Sequence, residues 1–309
     1  MKWRIAALAA ACLSVQVLPA HAERLVGLTT TNQLIQLDST APTMGFNAVQ
    51  VSGLMSNERL LGMDWRPSDG MLYTLSSLGR LYTLDVQSGA ATLLGTLNAG
   101  SPAAGGGSFM GLSGTSFGID FNPVPDAGMS LPSLRVVSNA GQNLRINVNA
   151  GNEGQTFVDA PLNGATSTIV ASAYTNNDTN PATGTTLYGI DARTGALFTT
   201  AAPNAGTMTF VGSLGVNVIG VSGFDVSPSG KAYAALTDGD TGLSQLYRID
   251  LMTGAATSLG AFGVGGNVLQ APLVGLTAIP AVPEPSTWVM AIAGLALVAG
   301  VARRRQAVA

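Results

Sequence analysis

The sequence predicts an all-β protein assembled from repeated four-stranded units. Gly and Pro account for 39 and 15 of the 309 residues, whereas only 10% of residues are charged and 6% are aromatic. A motif of the form Gly-apolar-Asp-apolar-x-Pro recurs along the chain, and its last copy lacks the segments that the N-terminal region supplies. Many short strands joined by Gly-rich turns explain this composition, and the repeat predicts a ring of such units.

The motif marks the first strand of each unit. Complete copies occupy residues 62–67, 118–123 and 223–228. Degenerate copies place Ala173 and Thr277 where the others have Asp, so the equivalent positions are separated by 56, 53, 52 and 52 residues. Further short apolar segments follow each copy, and Asp-x-x-Thr-Gly or Asp-x-x-Ser-Gly steps supply the turns. Four strands in about 52 residues is the size of a propeller blade.

The two ends of the repeat region complement each other. The last copy, residues 273–279, has only its first strand, and residues 25–29, 33–38 and 46–51 supply the other three. Joining them completes a fifth blade and hides two sheet edges. We therefore expect a five-bladed β-propeller over residues 23–281, closed by exchange of N- and C-terminal strands. A β-sandwich or an open solenoid is the alternative.

The N-terminus has the features of a secretion signal. Two basic residues, Lys2 and Arg4, precede a largely apolar run over residues 5–18. An A-x-A cleavage site follows, with Ala20 and Ala22 at its small positions. We expect residues 1–22 to be removed by signal peptidase. An uncleaved membrane anchor is the alternative reading.

The C-terminus combines three parts in order. Val282, Pro283, Glu284 and Pro285 precede an apolar segment at 286–302, and Arg303, Arg304 and Arg305 follow it. The prolines keep their stretch extended and accessible to a protease. The apolar segment is long enough for a short membrane helix, and the arginines favour a cytoplasmic end. A plain C-terminal membrane tail is the alternative.

This arrangement resembles the PEP-CTERM sorting signal of Gram-negative bacteria, here residues 282–309. The resemblance implies recognition by an exosortase in the inner membrane and cleavage near the Pro-Glu-Pro motif. It implies an anchored precursor and then a product at the cell surface or outside the cell.

The middle of the chain, residues 24–280, also resembles an uncharacterised family of secreted bacterial propeller-like proteins that carry a domain of unknown function. The resemblance rests on residues 59–64, 117–123, 135–145 and 173–177. It implies export and the fold, and it brings no activity.

Composition excludes several chemistries. Cys12 and His21 both lie in the predicted signal peptide, so residues 23–281 have neither Cys nor His. A disulfide, a thiol nucleophile, a Ser-His-Asp triad and a His- or Cys-ligated metal are therefore excluded there. The same segment has nine basic and sixteen acidic residues, a net charge of −7. We expect no binding of nucleic acid or anionic lipid.

Acidic residues offer two weak candidate cation sites. Asp64, Asp120 and Asp225 occupy one equivalent position in three blades, where they either form an acidic ring that binds a cation or accept backbone hydrogen bonds at the turn before the Pro. Asp238 and Asp240 lie close together but lack the rest of a calcium loop, so an acidic turn is the plainer reading. We therefore expect the protein to need no cofactor, with Ca²⁺ as the alternative.

The densest polar cluster offers a candidate ligand site. It comprises Arg135, Asn139, Gln142, Asn143 and Arg145. Paired Arg and amide groups suit recognition of a carboxylate or a sugar. The alternative is that both arginines pair with turn aspartates.

Two functional hypotheses follow. The first is a non-enzymatic surface or matrix protein whose propeller binds exopolysaccharide or another envelope component. The second is a carboxylate- or Ca²⁺-dependent hydrolase or lyase acting on a carbohydrate or a lactone. An enzyme is expected to converge acids of several blades, with perturbed pKa values, on one open pocket.

Overall fold

Short strands dominate the part of the chain that the computed structural model describes, residues 22–100, 107–128, 131–280 and 294–295. The strands are β1 (Arg24–Thr29), β2 (Gln33–Asp38), β3 (Phe46–Gln50), β4 (Leu60–Arg66), β5 (Met71–Ser76), β6 (Arg80–Leu84), β7 (Ala91–Thr96), β8 (Asn98–Ala99), β9 (Phe117–Phe121), β10 (Leu134–Ser138), β11 (Asn143–Ile146), β12 (Gln155–Val158), β13 (Asn163–Gly164), β14 (Ala171–Tyr174), β15 (Leu187–Asp191), β16 (Ala196–Thr200), β17 (Thr207–Ser213), β18 (Val218–Val226), β19 (Ala232–Asp238), β20 (Ser244–Ile249), β21 (Ala256–Ala261), β22 (Gly263–Val264), β23 (Asn267–Val268) and β24 (Leu273–Ile279). The helical elements are short, namely α1 (Pro123–Asp126) and 3-10 turns at Pro42–Met44, Pro181–Thr183 and Pro203–Ala205.

The strands form five sheets arranged as the blades of a propeller. Their orders are β24-β1-β2-β3 (blade 1), β4-β5-β6-β7 (blade 2), β9-β10-β11-β12-β8 (blade 3), β14-β15-β16-β17-β13 (blade 4) and β18-β19-β20-β21 (blade 5), with a small β22-β23 hairpin after blade 5. The innermost strands β4, β9, β14, β18 and β24 contact one another in a closed ring. The predicted five-bladed propeller is therefore confirmed.

Blade 1 closes the ring by combining both ends of the repeat region. β24 pairs antiparallel with β1, so that Leu25 faces Ala278 and Gly27 faces Leu276. β1 then pairs with β2, and β2 with β3. This is the predicted strand exchange, and it leaves no innermost strand of the described ring without a neighbour on either side.

The core is divided among the five interfaces between blades. Each interface holds its own cluster of buried apolar side chains. Strand β1 illustrates why one strand contributes to two clusters. Leu25 packs toward blade 5, whereas Val26 and Leu28 pack toward blade 2. Both faces of a blade are thus buried, and successive side chains serve opposite interfaces. The apolar cluster between blades 3 and 4 is the smallest of the five.

The turns follow from their Asp and Gly residues. In the connection between β6 and β7, Asp85 Oδ1 accepts hydrogen bonds from the backbone N–H groups of Gln87 (3.0 Å) and Ser88 (2.7 Å). Gly89 completes this turn at φ 73°, which only Gly adopts without cost.

The innermost strands define two faces of the ring. All five run in the same direction along the axis, so one face, here called the top face, gathers the starts of these strands, and the bottom face gathers their ends. Ala22 and Pro280, the first and last described residues of the propeller, both lie at the bottom face. The segment that carries the predicted sorting signal therefore leaves the propeller from the bottom face.

Candidate functional site

The repeated motif places its central residue at the same point of every innermost strand. Asp64, Asp120 and Asp225 are buried there, with exposed fractions of 1%, 2% and 1%. Each carboxylate accepts a hydrogen bond from a backbone N–H of the next blade. The donors are Phe121 N for Asp64 (2.8 Å), Tyr174 N for Asp120 (3.1 Å) and Ala278 N for Asp225 (2.6 Å). The motif thus links neighbouring blades, whereas the sequence reading placed the backbone partners of these aspartates in the turn before the Pro.

The two degenerate copies modify this ring. Thr277 Oγ1 accepts from Trp65 N (3.2 Å) in the same manner, and it also contacts Asp64 Oδ1 (2.9 Å) and Asp225 Oδ2 (3.1 Å). Ala173, in blade 4, has no polar side chain to offer. Blades 1, 2, 3 and 5 therefore each contribute a side chain that accepts a hydrogen bond from the next blade, and blade 4 contributes none.

The three carboxylates also approach one another across the axis. One oxygen from each lies within 4.8 Å of the others, and this is the group of potential metal-ligating side chains found among the described residues. Two of their oxygens, Asp120 Oδ2 and Asp225 Oδ1, are buried without any hydrogen-bond partner. Both oxygens of Asp64 are thus hydrogen-bonded, whereas Asp120 and Asp225 each keep one buried oxygen without a partner.

Burial and mutual repulsion change the acidity of this triad. Burial raises the pKa of Asp225 to about 6. The pKa values of Asp64 and Asp120 are raised well above the usual value for Asp, first by burial and then by the neighbouring carboxylates. Desolvation disfavours an isolated charge, and like charges in one site disfavour each other. The triad is thus a place that favours a bound proton or a bound cation.

An open pocket of about 350 Å³ lies at the top face, over the starts of the innermost strands. All five blades contribute to its walls, which consist of Thr30, Arg59, Leu60, Leu61, Thr115, Ser116, Phe117, Val170, Gly220, Ser222 and Val274. Arg59 is exposed, and none of the ion pairs formed among the described residues involves it. These walls contain hydroxyls, one cation and no acid, which suits an anionic or sugar-like ligand.

A second pocket of about 580 Å³ lies at the bottom face. Its walls include Trp65, Pro67 and Pro228 together with Glu23 and the described chain ends. The chain that continues beyond residue 280 leaves from this pocket. The top pocket lies at the opposite face of the ring.

Arg135, the centre of the predicted ligand cluster, is buried between blades 3 and 4. Its guanidinium donates to Asp159 Oδ2 (2.7 Å), Asn143 Oδ1 (2.8 Å) and Asn204 Oδ1 (2.6 Å), and it lies 3.3 Å from Tyr174 OH. Asn143 extends the network by donating to the backbone oxygens of Ala160 and Pro203. This network joins the two blades whose shared apolar cluster is smallest.

The other members of that cluster lie in two places. Arg145 forms a two-pronged ion pair with Asp159, both contacts at 2.8 Å, and with Arg135 it reaches a small hollow of about 220 Å³. Asn139 accepts from Thr115 N (2.9 Å), and Gln142 accepts from Ser113 N (2.9 Å), so both hold the loop before β9. The structure therefore does not bring all five onto one surface. Pairing of both arginines with Asp159 follows the alternative reading, and their ligand role stays a prediction.

Asp238 and Asp240 form an acidic turn. Asp238 Oδ1 accepts from the hydroxyl and the backbone N–H of Thr241, both at 2.8 Å, and these bonds lower the pKa of Asp238. Asp240 Oδ1 accepts from Asn217 Nδ2 (3.2 Å). Neither belongs to the group of potential metal ligands found among the described residues.

The predicted terminal segments lie largely outside the described residues. This applies to Ala20, to Val282, Pro283, Glu284 and Pro285, and to Arg303, Arg304 and Arg305. Of the predicted membrane segment, Gly294 and Leu295 are described and are helical. No helix within the described ranges reaches the length and apolar character needed to cross a membrane.

Several important residues had no local signal in the sequence. Arg59 precedes a strand as an ordinary surface residue, yet it lies at the top pocket. Arg66 is buried and donates to Asp126 Oδ1 (2.6 Å), which is sixty residues away. The repeat does point to Thr277, because this residue occupies the position of the aspartates. The contacts of Thr277 with Asp64 and Asp225, however, depend on ring closure.

Solved structures resemble the chain only distantly. A chain of a nidogen–laminin complex aligns at 13% identity and a TM-score of 0.48, covering 83% of this chain and 98% of that one. The PQQ-bound aldose sugar dehydrogenase of Streptomyces coelicolor aligns at 17% identity and a TM-score of 0.36, covering 65% and 61%. YCF48 bound to a D1 peptide aligns at 8% identity and a TM-score of 0.36, covering 79% of this chain and 70% of that one. No curated protein matches the chain.

Family comparison agrees with the two resemblances noted from the sequence. The PEP-CTERM protein-sorting motif matches residues 281–306, which indicates a secreted protein recognised and processed by an exosortase. The family described as a domain of unknown function, DUF4394, matches residues 33–271, nearly the whole propeller. The chain therefore belongs to the DUF4394 family.

Proposed function

We propose that this protein is a non-enzymatic surface propeller that binds an acidic exopolysaccharide at its top pocket. The observation that carries the proposal is the pocket itself. All five blades line it, it holds an exposed arginine without an ion pair among the described residues, and its walls contain no acid. It also lies at the face opposite the chain ends, so it stays open while the chain is attached through its C-terminus.

The chemistry of the walls favours a uronate. The planar guanidinium of Arg59 matches a carboxylate with two parallel hydrogen bonds. Thr30 and Thr115 add hydroxyl groups that suit sugar hydroxyls, and Leu61 and Val274 add apolar area. The overall negative charge of the domain opposes non-specific binding of polyanions, so binding depends on this local site.

The enzymatic alternative requires acids that reach a substrate. Acids of three blades do converge with raised pKa values, which is what an enzyme would show, yet they are almost completely buried. The walls of the open top pocket have no carboxylate to act as acid, base or nucleophile. Binding without turnover is therefore the better supported function.

Calorimetric titration of the full-length chain with polygalacturonate, and with neutral dextran as a comparison, tests the proposal. Replacement of Arg59 by Ala should weaken polygalacturonate binding at least ~10-fold, the loss of one charge-assisted contact. Arg24→Ala removes the same charge from the bottom face and should leave binding unchanged. Equal losses in both variants, or no binding by the parent, would contradict the proposal. Release of reducing ends from the polymer would favour the enzyme.

A further inference from the structure

The axis of the ring contains an unusual concentration of unsatisfied polar atoms. Seven buried side-chain atoms of the described residues lack a hydrogen-bond partner, and four of them lie on innermost strands: Asp120 Oδ2, Asp225 Oδ1, Ser172 Oγ and Ser222 Oγ. An unsatisfied buried acceptor costs about 1–3 kcal/mol. Such atoms in native proteins normally contact a water or an ion.

The two serines line a small hollow formed by the strand segments that immediately precede the three aspartates. This hollow has a volume of about 10 Å³, and its walls include Met63, Ile119 and Phe224, the residues immediately before the three aspartates. Ser172 and Ser222 are more than nine-tenths buried and face it without a partner. A space of this size holds about one water molecule. The hollow thus points to a small polar occupant independently of the carboxylates.

The spacing of the carboxylates suits a single ion. Calcium binds oxygen at about 2.3–2.6 Å, so two ligands of one ion are separated by at most about 5 Å. One oxygen from each of Asp64, Asp120 and Asp225 fulfils this condition, since all lie within 4.8 Å of one another. The backbone donors from Tyr174 and Ala278 hold one oxygen of Asp120 and Asp225 and leave the other free.

We propose that the propeller axis binds one hard divalent cation, Ca²⁺, through Asp64, Asp120 and Asp225, with a water in the hollow beside Ser172 and Ser222 as a further ligand. All of these ligands are oxygens, which favours Ca²⁺ over softer metals. The ion joins blades 2, 3 and 5 directly and blade 1 through Thr277, which contacts two of the three carboxylates. It therefore holds the ring closed at the point where the blades converge.

The closeness of the three buried carboxylates allows two kinds of occupant, protons or a cation. Three carboxylates in one buried place cannot all stay charged alone, and either protons or a cation can relieve their repulsion. The two occupants differ in their response to an Asp→Asn substitution. If the triad holds protons, removing one charge lowers the repulsion among the carboxylates and stabilises the fold. If it holds a cation, the same substitution removes a ligand and weakens binding of the ion.

Thermal unfolding of the full-length chain, stripped with EDTA and titrated with CaCl₂, tests the proposal. Calcium at about 100 times its Kd should raise the folding equilibrium constant ~100-fold, and the Tm by roughly 5–10 °C. Asp120→Asn should abolish this increase. Asp238→Asn, in the exposed acidic turn, should retain it.

Elemental analysis of the purified parent provides a measurement that does not depend on the folding of any variant. About one Ca²⁺ per chain after dialysis against trace calcium supports the site. Two results would overturn it. One is an unchanged parent Tm with calcium together with no bound metal; the other is an Asp120→Asn variant that is more stable than the EDTA-treated parent while calcium changes the Tm of neither protein. The second result would assign the triad to protons.

Discussion

Replacement of Gly118 by Ala examines how closely the innermost strands approach. Gly118 lies two residues before Asp120, and its backbone is outside the left-handed region, so Ala is allowed there conformationally. A Cβ at this position would lie 2.5 Å from Ser172 N, 2.6 Å from Ser172 Oγ and 2.8 Å from the carbonyl carbon of Ala171, whereas ordinary contacts begin at 3.4 Å. Because two of these atoms are backbone of β14, blades 3 and 4 must separate.

The energetic cost follows from this separation. A gap of about 0.5–1 Å removes a quarter to a half of the contact energy across the widened interface, and overpacking in cores costs about 1–3 kcal/mol. Ala returns about 0.4–1 kcal/mol by restricting the unfolded chain. We expect a net loss of about 1.5 kcal/mol, which lowers the Tm by roughly 3–6 °C in a domain of this size.

Differential scanning calorimetry of the full-length variant measures this loss, and Gly220→Ala is the matched control. The nearest atom to a Cβ at Gly220 is Ser116 Oγ at 3.5 Å, an ordinary contact. The control should therefore unfold within about 2 °C of the parent, in line with a change below about 0.5 kcal/mol. If Gly118→Ala also unfolds within this margin, the close approach of β9 and β14 does not limit the sequence and the account of the Gly-x-Asp motif is wrong.

Two further predictions concern buried charge. Arg135→Met should destabilise the protein by about 3 kcal/mol, because it leaves the partners of a buried guanidinium unsatisfied. Arg193 has a side chain that is 67% exposed, so Arg193→Met should cost less than about 1 kcal/mol. Urea denaturation measures both losses, and equal losses in the two variants would refute a structural role for the Arg135 network. In EDTA, stability should fall as the pH rises from about 4 through about 6, because Asp225 is protonated in the folded chain and ionised in the unfolded one, a difference worth roughly 3 kcal/mol for that pKa alone. Stability that instead increases over this range, with Asp120→Asn showing the same profile as the parent, would contradict the raised pKa values.

The locations of the two pockets bear on the proposed role. The chain leaves the propeller at the bottom face, where Ala22 and Pro280 meet, and the sorting motif follows directly. A ligand at the proposed top site would lie on the face opposite Ala22 and Pro280. This orientation follows from ring closure, since the same strand exchange that completes blade 1 brings both ends to one face.

The sequence alone determined the blade, the number of blades and the place where the ring closes. These features depend on local physics: alternation of apolar side chains, turns such as that of Asp85, and a motif that returns at a nearly constant spacing. The two-residue strands β8 and β13 were not predicted, because segments of that length show no periodicity. Helix α1 was missed as well, since it begins at a Pro that the motif indicated only as the end of a strand.

Only the tertiary structure decided which side chains meet. Arg135 has Asp159 and Asn204 as partners at separations of 24 and 69 residues, and Thr277 contacts Asp64 across 213 residues. The contacts with Asn204 and with Asp64 depend on the relative position of two blades, and the contact with Asp159 depends on how three strands pair within blade 3. No local pattern encodes either arrangement. The repeat placed three aspartates at equivalent points, but the closeness of their carboxylates and the unsatisfied atoms beside them result from the diameter of the ring. That diameter depends in turn on how closely Gly118 and its counterparts allow the innermost strands to approach.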